Sequence, residues 1–407
     1  MITFEEAQRL LRKYVKPGRV VERQLLESLG LVLARPVVSR TDSPRFDVSA
    51  VDGYAVSLSD FDRGAPVTLP IVATIHAGAG SLRLLKKGTV QRIFTGAPVP
   101  KGTDAIVMQE YVTRFNDSVS FTATPKAGAY IRKRGAELRR GELLFERGAT
   151  IMPSVAQTLA ACGYDKVRVH DRPVVSIVIT GDELRTPGVK LKHGEIWDSN
   201  TIGLRTALSA VGITNIHTLN ISDNPRSTAK AIRSALARSD VVIATGGVSV
   251  GDRDYVKEAF ASNGVREIFW GVSMKPGKPF FFGVKPQASK PKYVFGLPGN
   301  PVSVMVTYQL FVRRAILRMM GHADEGVTQR GILTLPIKKS DPRTEFVRAY
   351  HDGTRDRMPN IVPLTARDSH MTTGMAKTDC LIVFPLEEES IEAGREVEII
   401  SIRWAAY

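Results

Sequence analysis

The 407-residue sequence has little cysteine and no long apolar segment. Two cysteines, Cys162 and Cys380, are too few for a disulfide-stapled scaffold or for a metal framework of paired cysteines, and they fit a reducing compartment. No apolar run reaches the roughly 20 residues of a membrane-spanning helix. The acidic start MITFEEAQRLL is unlike a signal peptide; its Thr3 and Glu6 have the spacing of a helix capping box. These features predict a soluble, cytoplasmic protein with no membrane partner.

Two nucleotide-binding motifs are also missing, and one catalytic motif lacks its context. There is no G-x-x-x-x-G-K-[ST] phosphate loop and no G-x-G-x-x-G after a strand, which excludes P-loop ATPases and dinucleotide-binding folds. The segment 247–251 (GVSVG) matches a nucleophile elbow with Ser249 as nucleophile. Because Gly-Asp-Arg-Asp intervenes before the next predicted helix, and the downstream histidines His322, His351 and His370 lie at or beyond the end of the α/β region, hydrolysis by Ser249 is disfavoured.

Positive charge, in contrast, is abundant. Lys and Arg number 56 against 41 Asp and Glu, so the formal net charge is +15. This excess suits nucleic acid, an acidic partner or phosphorylated small molecules. The sequence has no recognised nucleic-acid-binding fold and no basic patch interleaved with aromatic residues, so nucleic acid is not expected as a partner. The densest basic stretch, 131–148, is interpreted as a solvated surface or connector.

Hydrophobic patterning divides the chain into regions of different character. Short β-like runs over residues 52–130 predict a small strand-rich domain. Over residues 174–322, apolar runs such as VVSIVIT alternate with helical patterns, which is typical of a doubly wound α/β domain with a parallel sheet. From residue 326 onward, short runs separated by turn signals predict a small all-β module.

Glycine-rich loops follow the predicted strands of the α/β region, where doubly wound sheets bind their ligands. The loops are TGDEL (180–184), TGGVSVGD (245–252), KPGKP (275–279) and LPGNPVS (297–303). Glycines at such turns let backbone N–H groups approach a phosphate, and Lys275 and Lys278 would neutralise further oxyanion charge. Four such loops on one rim predict a phosphate or oxyanion site.

Carboxylates fall at the same strand ends. They are Asp182, Glu183, Asp198, Asp223, Asp252 and Asp254. Because carboxylates repel phosphate unless a cation intervenes, the set predicts a Mg²⁺ ion that bridges ligand and protein. Each carboxylate alone is equally well interpreted as a helix N-cap, in particular Asp254 before YVKEAF and Asp223 before Pro225.

Seven motifs occur in order between residues 49 and 303. They are SAVDGYAV (49–56), FTGAPVPKGTDAIVMQE (94–110), TGDEL (180–184), IWDSN (196–200), ATGGVSVGDRDY (244–255), KPGKP (275–279) and GLPGNPVS (296–303). Together they resemble the MoeA family, the molybdopterin molybdenumtransferases, which includes the enzyme domain of gephyrin.

The resemblance implies an α/β multidomain fold. Its four expected parts are an elongated dimerisation domain in two segments (1–43 and 131–173), a small β-rich domain (44–130), a doubly wound molybdopterin-binding α/β domain (174–322) and a C-terminal β-barrel domain (323–407).

The resemblance also implies a reaction: molybdate is inserted into adenylylated molybdopterin, with Mg²⁺ present, and AMP and molybdenum cofactor are released. The expected partners are small-molecule substrates, a second copy in a homodimer whose cleft is shared between subunits, and the molybdopterin adenylyltransferase. The alternatives are a molybdopterin adenylyltransferase, which shares the α/β domain, and a non-catalytic scaffold paralogue. The extra domains argue against the first alternative, and the retained site carboxylates argue against the second.

By motif, the resemblance implies catalytic roles for Asp52, Glu183, Asp223 and Asp254. Of these, Glu183 and Asp254 are expected around the metal and the anhydride, and Asp52 is expected to reach the site from the partner subunit. The cofactor- and substrate-binding positions, from the motifs and the loops above, are Thr95, Gly246, Gly247, Ser249, Lys275, Lys278, Pro298, Asn300 and Pro301. Arg343 and Arg348 match basic positions of the C-terminal domain. Glu137, Gly271 and Ala129 depart from the family pattern.

Overall fold

A computed structural model describes residues 1–80, 83–247, 255–287, 290–323, 328–339, 341–353, 358–365, 368 and 370–405. By internal packing the chain divides into two units. The main unit comprises Met1–Arg23, Ser28–Ala34 and Arg168–Tyr407, and the β-rich unit comprises Gln24–Glu27 and Arg35–Val167. Within the described part of the chain, no helix is long and apolar enough to cross a membrane. The four domain boundaries given above stay a prediction.

Up to residue 170 the chain forms two α-helices and twelve strands among the residues described. They are α1 (Phe4–Tyr14), β1 (Val20–Gln24), β2 (Val37–Val38), β3 (Val48–Ser49), β4 (Gly53–Val56), β5 (Val67–Ile75), β6 (Val90–Ile93), β7 (Ala105–Met108), β8 (Val112–Phe115), β9 (Ser118–Phe121), β10 (Ile131–Arg132), β11 (Leu143–Phe145), α2 (Pro153–Ala161) and β12 (Lys166–His170).

Helix α1 begins at its predicted cap. The Thr3 Oγ1 atom accepts a hydrogen bond from the Glu6 N–H at 3.2 Å, which satisfies one of the free donors of the first turn. Its apolar face packs within the main unit, where the Phe4 ring lies 4.7 Å from the Phe346 ring and 5.7 Å from the Phe311 ring, between centroids. This packing supplies the burial that a helix of three turns needs to be stable.

The β-rich unit contains a six-stranded sheet in the order β7-β4-β6-β5-β9-β8. Strand β4 pairs with β6 and β7 antiparallel, and β5 pairs with β6 parallel. Three aromatic residues pack together in its core, with Phe121 edge-on to both Tyr54 and Phe61. The predicted strand-rich domain is confirmed.

Gly53 of β4 lies too close to β7 for any side chain. An added Cβ would be 2.1 Å from the Val107 carbonyl oxygen. We therefore expect Gly53→Ala to push the two strands apart and to lower the free energy of unfolding by about 3 kcal/mol. Thermal unfolding followed by circular dichroism tests this, with Gly80→Ala as control because a Cβ there meets nothing within 4 Å. Equal midpoints for the two variants would contradict the close approach.

From residue 174 onward the described chain forms α/β structure and then mainly strands. The elements are β13 (Val175–Thr180), β14 (Leu184–Arg185), β15 (Ile196–Trp197), α3 (Ser199–Ala210), β16 (Ile216–Ile221), α4 (Pro225–Arg238), β17 (Val241–Thr245), α5 (Val256–Ser262), β18 (Arg266–Trp270), β19 (Met274–Lys275), β20 (Phe281–Lys285), β21 (Lys292–Leu297), α6 (Pro301–Thr307), α7 (Arg313–Met319), β22 (Gln329–Leu333), β23 (Ile337–Lys338), β24 (Thr344–His351), β25 (Asn360–Pro363), α8 (Thr372–Ala376), β26 (Cys380–Phe384), β27 (Ser390–Ile391) and β28 (Glu396–Ser401).

The α/β sheet has the order β16-β13-β17-β21-β20-β18. Strands β16, β13, β17 and β21 run parallel, as the uninterrupted apolar runs predicted. Strands β20 and β18 are antiparallel to their neighbours, so the sheet is mixed rather than wholly parallel. The connection between β20 and β21 is too short for the crossover of a dozen residues that parallel strands need.

The helical region that begins at Pro301 is interrupted. Helices α6 and α7 are joined by a π-helical segment, Tyr308–Val312. Gln8 of α1 donates a hydrogen bond from Nε2 to the Leu310 carbonyl oxygen at 2.6 Å. The side chain of α1 therefore satisfies a carbonyl in the π-helical segment, where the regular ladder is disturbed.

The C-terminal strands close into a five-stranded barrel, because β24 pairs with both β25 and β26 in the order β24-β25-β22-β28-β26. Short β19, which precedes the KPGKP prolines, adds to the outside of this sheet by pairing parallel with β24. That pairing sets Lys275 opposite Glu345 in register. The predicted barrel is confirmed, and it holds one loop of the α/β rim in place.

Candidate active site

A cavity of about 480 Å³ lies within the main unit, where loops at the carboxyl ends of the α/β sheet meet β24. Three of the four predicted glycine-rich loops contribute to it. Its lining is Gly247, Lys275, Pro276, Gly277, Lys278, Pro279, Pro298, Gly299, Asn300, Ser303, Arg343, Glu345, Phe346, Val347, Arg348 and Asp368. The structure thus brings together Gly247, Lys275, Lys278, Pro298 and Asn300, as the sequence predicted.

Two glycines explain how the loops pack so closely. Gly247 has φ +63°, and a Cβ there would be 2.7 Å from Val256 Cγ2. Gly277 has φ +107°, and a Cβ there would be 2.5 Å from Thr307 Cγ2. Both backbone conformations are costly for other residues. A Cβ on the neighbouring Gly246 would be 2.8 Å from Thr180 Oγ1. The loop after β17 therefore packs directly against the end of β13.

The LPGNP loop is anchored from a neighbouring helix. Asn200 of α3 donates a hydrogen bond from Nδ2 to the Gly299 carbonyl oxygen at 2.8 Å. Asn300 is the N-cap of α6, and Pro301 is its first residue, where proline's fixed φ favours the helix. Pro298 and Asn300 line the cavity, whereas Pro301 begins the helix behind it.

Four cationic side chains and two acidic residues line the cavity. The cations are Lys275, Lys278, Arg343 and Arg348, and the acidic residues are Glu345 and Asp368. The excess of positive charge favours an anionic ligand. Lys278 is exposed, whereas Lys275 is partly buried, with its Nζ 3.9 Å from Glu345 Oε1.

The two arginines are fixed by hydrogen bonds. Arg343 donates from Nε to Asp341 Oδ1 at 2.5 Å and from Nη1 to the Met274 carbonyl oxygen at 3.1 Å. The hydrogen bond from Arg343 lowers the pKa of Asp341 to about 2, so this ion pair persists in mild acid. Arg348 is buried and donates to the carbonyl oxygens of Met371 and Asp368 at 2.8 and 3.1 Å. Burial lowers the pKa of Arg348.

The predicted catalytic carboxylates of the α/β domain follow β13 and β16. Glu183 is exposed in the turn after β13. Asp182 in the same turn accepts a hydrogen bond at Oδ1 from the Asp223 N–H at 3.3 Å, so the two turns are in contact. Asn224, and not Asp223, caps α4, because its Oδ1 accepts from the Ser227 N–H at 2.8 Å. The N-cap interpretation of Asp223 was therefore wrong by one residue.

Other predicted residues have different outcomes. Asp198 is an N-cap, since it accepts from the Thr201 N–H at 2.9 Å. Asp254, Asp252 and Ser249 lie outside the described residues. Gly271 has φ +78°, a backbone conformation that disfavours a residue with a side chain at this position.

The donor set around Glu183 suits a hard cation. Carboxylate oxygens are the ligands that Mg²⁺ prefers, and Mg²⁺ commonly takes one or two of them together with water and substrate phosphate oxygens. Among the described residues, the one group of three metal-ligating side chains with ligand atoms within 4.8 Å of one another is His351, Asp379 and Cys380, in the barrel. Among the residues described, which do not include Asp254, Glu183 and its neighbours form no such group, so further ligands such as substrate oxygens would have to complete the coordination.

Asp52 and Thr95 form a pair within the β-rich unit. Asp52 Oδ1 accepts hydrogen bonds from the Thr95 N–H at 2.8 Å and from its hydroxyl at 2.7 Å. These hydrogen bonds from Thr95 lower the pKa of Asp52. The carboxylate is therefore held ionised, with one oxygen fixed and the other available to a ligand.

Part of the basic stretch 131–148 is paired with acids of the same unit. Lys133 Nζ lies 2.9 Å from Asp47 Oδ2, and Arg134 Nε lies 2.5 Å from Asp42 Oδ2. The Arg140 N–H donates to Asp42 Oδ1 at 2.8 Å and, with Arg134, lowers the pKa of Asp42. These ion pairs neutralise part of the local positive charge, so that part needs no bound ligand to explain it.

A cavity built from glycine-rich turns at the ends of parallel strands and lined by four cations is typical of proteins that bind phosphorylated or oxyanionic small molecules. Three family models match the chain: the MoeA N-terminal region (domain I and II) over residues 2–163, a probable molybdopterin binding domain over 176–318 and the MoeA C-terminal region (domain IV) over 330–402.

Similar proteins span the full chain. A molybdopterin molybdenumtransferase from Haemophilus influenzae is 32% identical over 98% of each chain. One from a Nostoc species is 36% identical over 92% of this chain and 86% of its own. The crystal structure of a molybdopterin biosynthesis MoeA protein from Pyrococcus horikoshii matches 98% of each chain with a TM-score of 0.83 and 28% identity. The chain belongs to the MoeA family.

Proposed function

We propose that this chain is a molybdopterin molybdenumtransferase that inserts molybdate into the dithiolene of adenylylated molybdopterin and releases AMP and molybdenum cofactor. The observation that carries the proposal is the single cavity in which the KPGKP and LPGNP loops meet Arg343 and Arg348. Family membership supports the reaction class, because the full-length relatives carry the name molybdopterin molybdenumtransferase.

The cavity's charges suit a tetrahedral dianion. Lys275 and Lys278 are flexible point charges, and the neighbouring prolines restrict the loop that carries them. Arg343 and Arg348 contribute positive charge from fixed positions, because their guanidinium groups are already held by backbone oxygens. We assign molybdate to this cavity, and the loop backbone at Gly247 and Asn300 to the phosphate of the adenylylated substrate.

We further propose that the reaction depends on Mg²⁺ held by Glu183 and Asp254, with Asp223 nearby. The exposed carboxylate of Glu183 and the contact between the turns after β13 and β16 support this assignment. When bound, Mg²⁺ would neutralise charge on the anhydride oxygens. Glu183 would orient the anhydride that is to be cleaved, and Asp223 would hold the attacking or departing group in line with the bond that breaks.

The proposal includes a homodimer in which Asp52 enters the site of the partner subunit. Under this arrangement, mixing Asp52→Ala and Lys278→Ala chains after reversible subunit exchange would give heterodimers with one intact site. Activity is then expected to recover to about a quarter of the wild-type value. Each variant alone is the control and should be inactive. If the exchanged mixture stays inactive while native mass spectrometry shows heterodimers, Asp52 does not act in the partner's site.

The main alternative is that this chain is itself a molybdopterin adenylyltransferase. In the proposed function that enzyme is instead a separate partner, which passes its product, adenylylated molybdopterin, to this chain. Two mixtures distinguish the activities: one contains molybdopterin and ATP, and the other contains adenylylated molybdopterin and molybdate, both with Mg²⁺. We expect only the second to yield cofactor that activates an added apo-molybdoenzyme. Pyrophosphate release in the first mixture would favour the alternative.

A further inference from the structure

Glu345 is a buried carboxylate in a cavity that otherwise suits an anion. Its exposed fraction is 3%, and its Oε1 lies 3.9 Å from Lys275 Nζ. Its second oxygen, Oε2, accepts no hydrogen bond from any of the residues described. The parallel pairing of β19 with β24 sets the Glu345 backbone opposite Lys275, at the start of the KPGKP loop.

A buried carboxylate oxygen with no partner is costly, and a ligand that enters the cavity would have to supply that partner. An ionised Glu345 would repel an oxyanion, whereas a protonated Glu345 could donate a hydrogen bond to it. We propose that Glu345 takes up a proton when molybdate binds and donates it in a hydrogen bond from Oε2. Glu345 then delivers this proton to the oxygen that leaves molybdenum. This role rests on the function proposed above.

The step balances without a redox partner. Molybdate and the dithiol form of the substrate give a dithiolene–MoO₃ dianion and one water. Two molybdenum–sulfur bonds form, two sulfur–hydrogen bonds break and one molybdenum–oxygen bond breaks, while molybdenum stays in the +6 state. The leaving oxygen takes one proton from Glu345 and one from a thiol, and the second thiol proton returns Glu345 to its acid form.

Other groups that face Glu345 determine how its charge responds to pH. Lys275 on β19 and Lys278 in the following loop carry positive charge, as do Arg343 and Arg348 on either side of it. Two further acidic residues lie near the arginines: Asp341, whose carboxylate accepts a hydrogen bond from Arg343, and Asp368, whose backbone carbonyl accepts one from Arg348. The incoming dianion brings negative charge against Glu345, and in the proposal this charge drives proton uptake.

The first test measures proton uptake by calorimetric titration with sodium molybdate in buffers of different ionisation enthalpy. For the wild-type chain we expect about one proton taken up per molybdate, so that affinity falls by up to about tenfold per pH unit above neutrality. Glu345→Gln should bind molybdate with no proton uptake and with an affinity independent of pH, because the amide donates a hydrogen bond at any pH. Lack of molybdate binding by the wild-type chain would overturn the proposal.

The second test measures cofactor formation by the same chains. Glu345→Gln should lose at least about 100-fold in molybdenum transfer while keeping molybdate affinity, since its amide cannot give up a proton. Glu345→Asp should restore part of the transfer, and the exposed barrel residue Glu392 provides the matched control Glu392→Gln. If Glu345→Gln binds molybdate weakly with unchanged proton uptake, Glu345 only positions Lys275 and the proposal fails. If the wild-type chain forms no cofactor, the proposed function fails first.

Discussion

Replacing Lys278 by alanine is expected to slow molybdenum transfer at least about 100-fold. The ammonium group is exposed at the cavity and is one of the cations that would hold the oxyanion, so its loss removes charge where the ligand binds. The same exposure means that the folded chain loses little packing. We therefore expect the thermal unfolding midpoint to stay within about 2 °C of the wild-type value.

Lys278 is a cleaner target than Lys275 for this measurement. Removing Lys275 would leave the buried Glu345 carboxylate without the cation that lies 3.9 Å from it and would mix stability with activity. Lys230→Ala is the matched control, because Lys230 is exposed on α4, outside the cavity. A Lys278→Ala chain that retains more than half of the wild-type activity would remove the KPGKP loop from the proposed oxyanion site.

Replacing Glu183 by alanine is expected to reduce AMP release at least about 1000-fold at millimolar Mg²⁺ with almost no change in stability. Glu183 is exposed in a turn, and its contact with the fold is the backbone carbonyl that accepts from the Ile196 N–H at 2.9 Å. Alanine preserves that backbone hydrogen bond. The loss should therefore fall on the cation and the anhydride rather than on the core.

A titration of AMP release against Mg²⁺ concentration separates metal binding from other roles of Glu183. Glu183→Gln should need more Mg²⁺ than the wild-type chain, because a neutral amide holds the cation less tightly. Glu258→Ala, on the exposed side of α5, is the control. A loss of several kcal/mol of stability in Glu183→Ala, with unchanged Mg²⁺ dependence, would show that the residue is structural.

Local patterns predicted most elements of the fold. The cap of α1 at Thr3, the buried strand β13 and the parallel strand β17 each depend on a few neighbouring residues, and the structure confirms them. The antiparallel direction of the pair β20–β21 follows from the short connection between the two strands, and an apolar run alone does not indicate strand direction. The N-cap of α4 shifted from Asp223 to Asn224, because both residue types can cap and only geometry chooses between them.

The sequence predicted only part of the candidate site, because local patterns reveal its loops but not the contacts between distant segments. Each glycine-rich loop is visible in the sequence, and the topological rule for doubly wound sheets places those loops on one rim. The pairing of β19 with β24 is a tertiary contact between segments about seventy residues apart, and no local signal reports it. Glu345 was therefore missed, although it lies between Arg343 and Arg348, which were matched by motif.

The most direct test of the account is the amount of AMP released per molybdenum inserted by the wild-type chain. Purified chain is mixed with adenylylated molybdopterin, molybdate and Mg²⁺, and AMP and pterin-bound molybdenum are both quantified. The account predicts AMP release only when molybdate and Mg²⁺ are both present, with about one AMP for each molybdenum. AMP release that ignores molybdate, or no AMP release in the complete mixture, would contradict it.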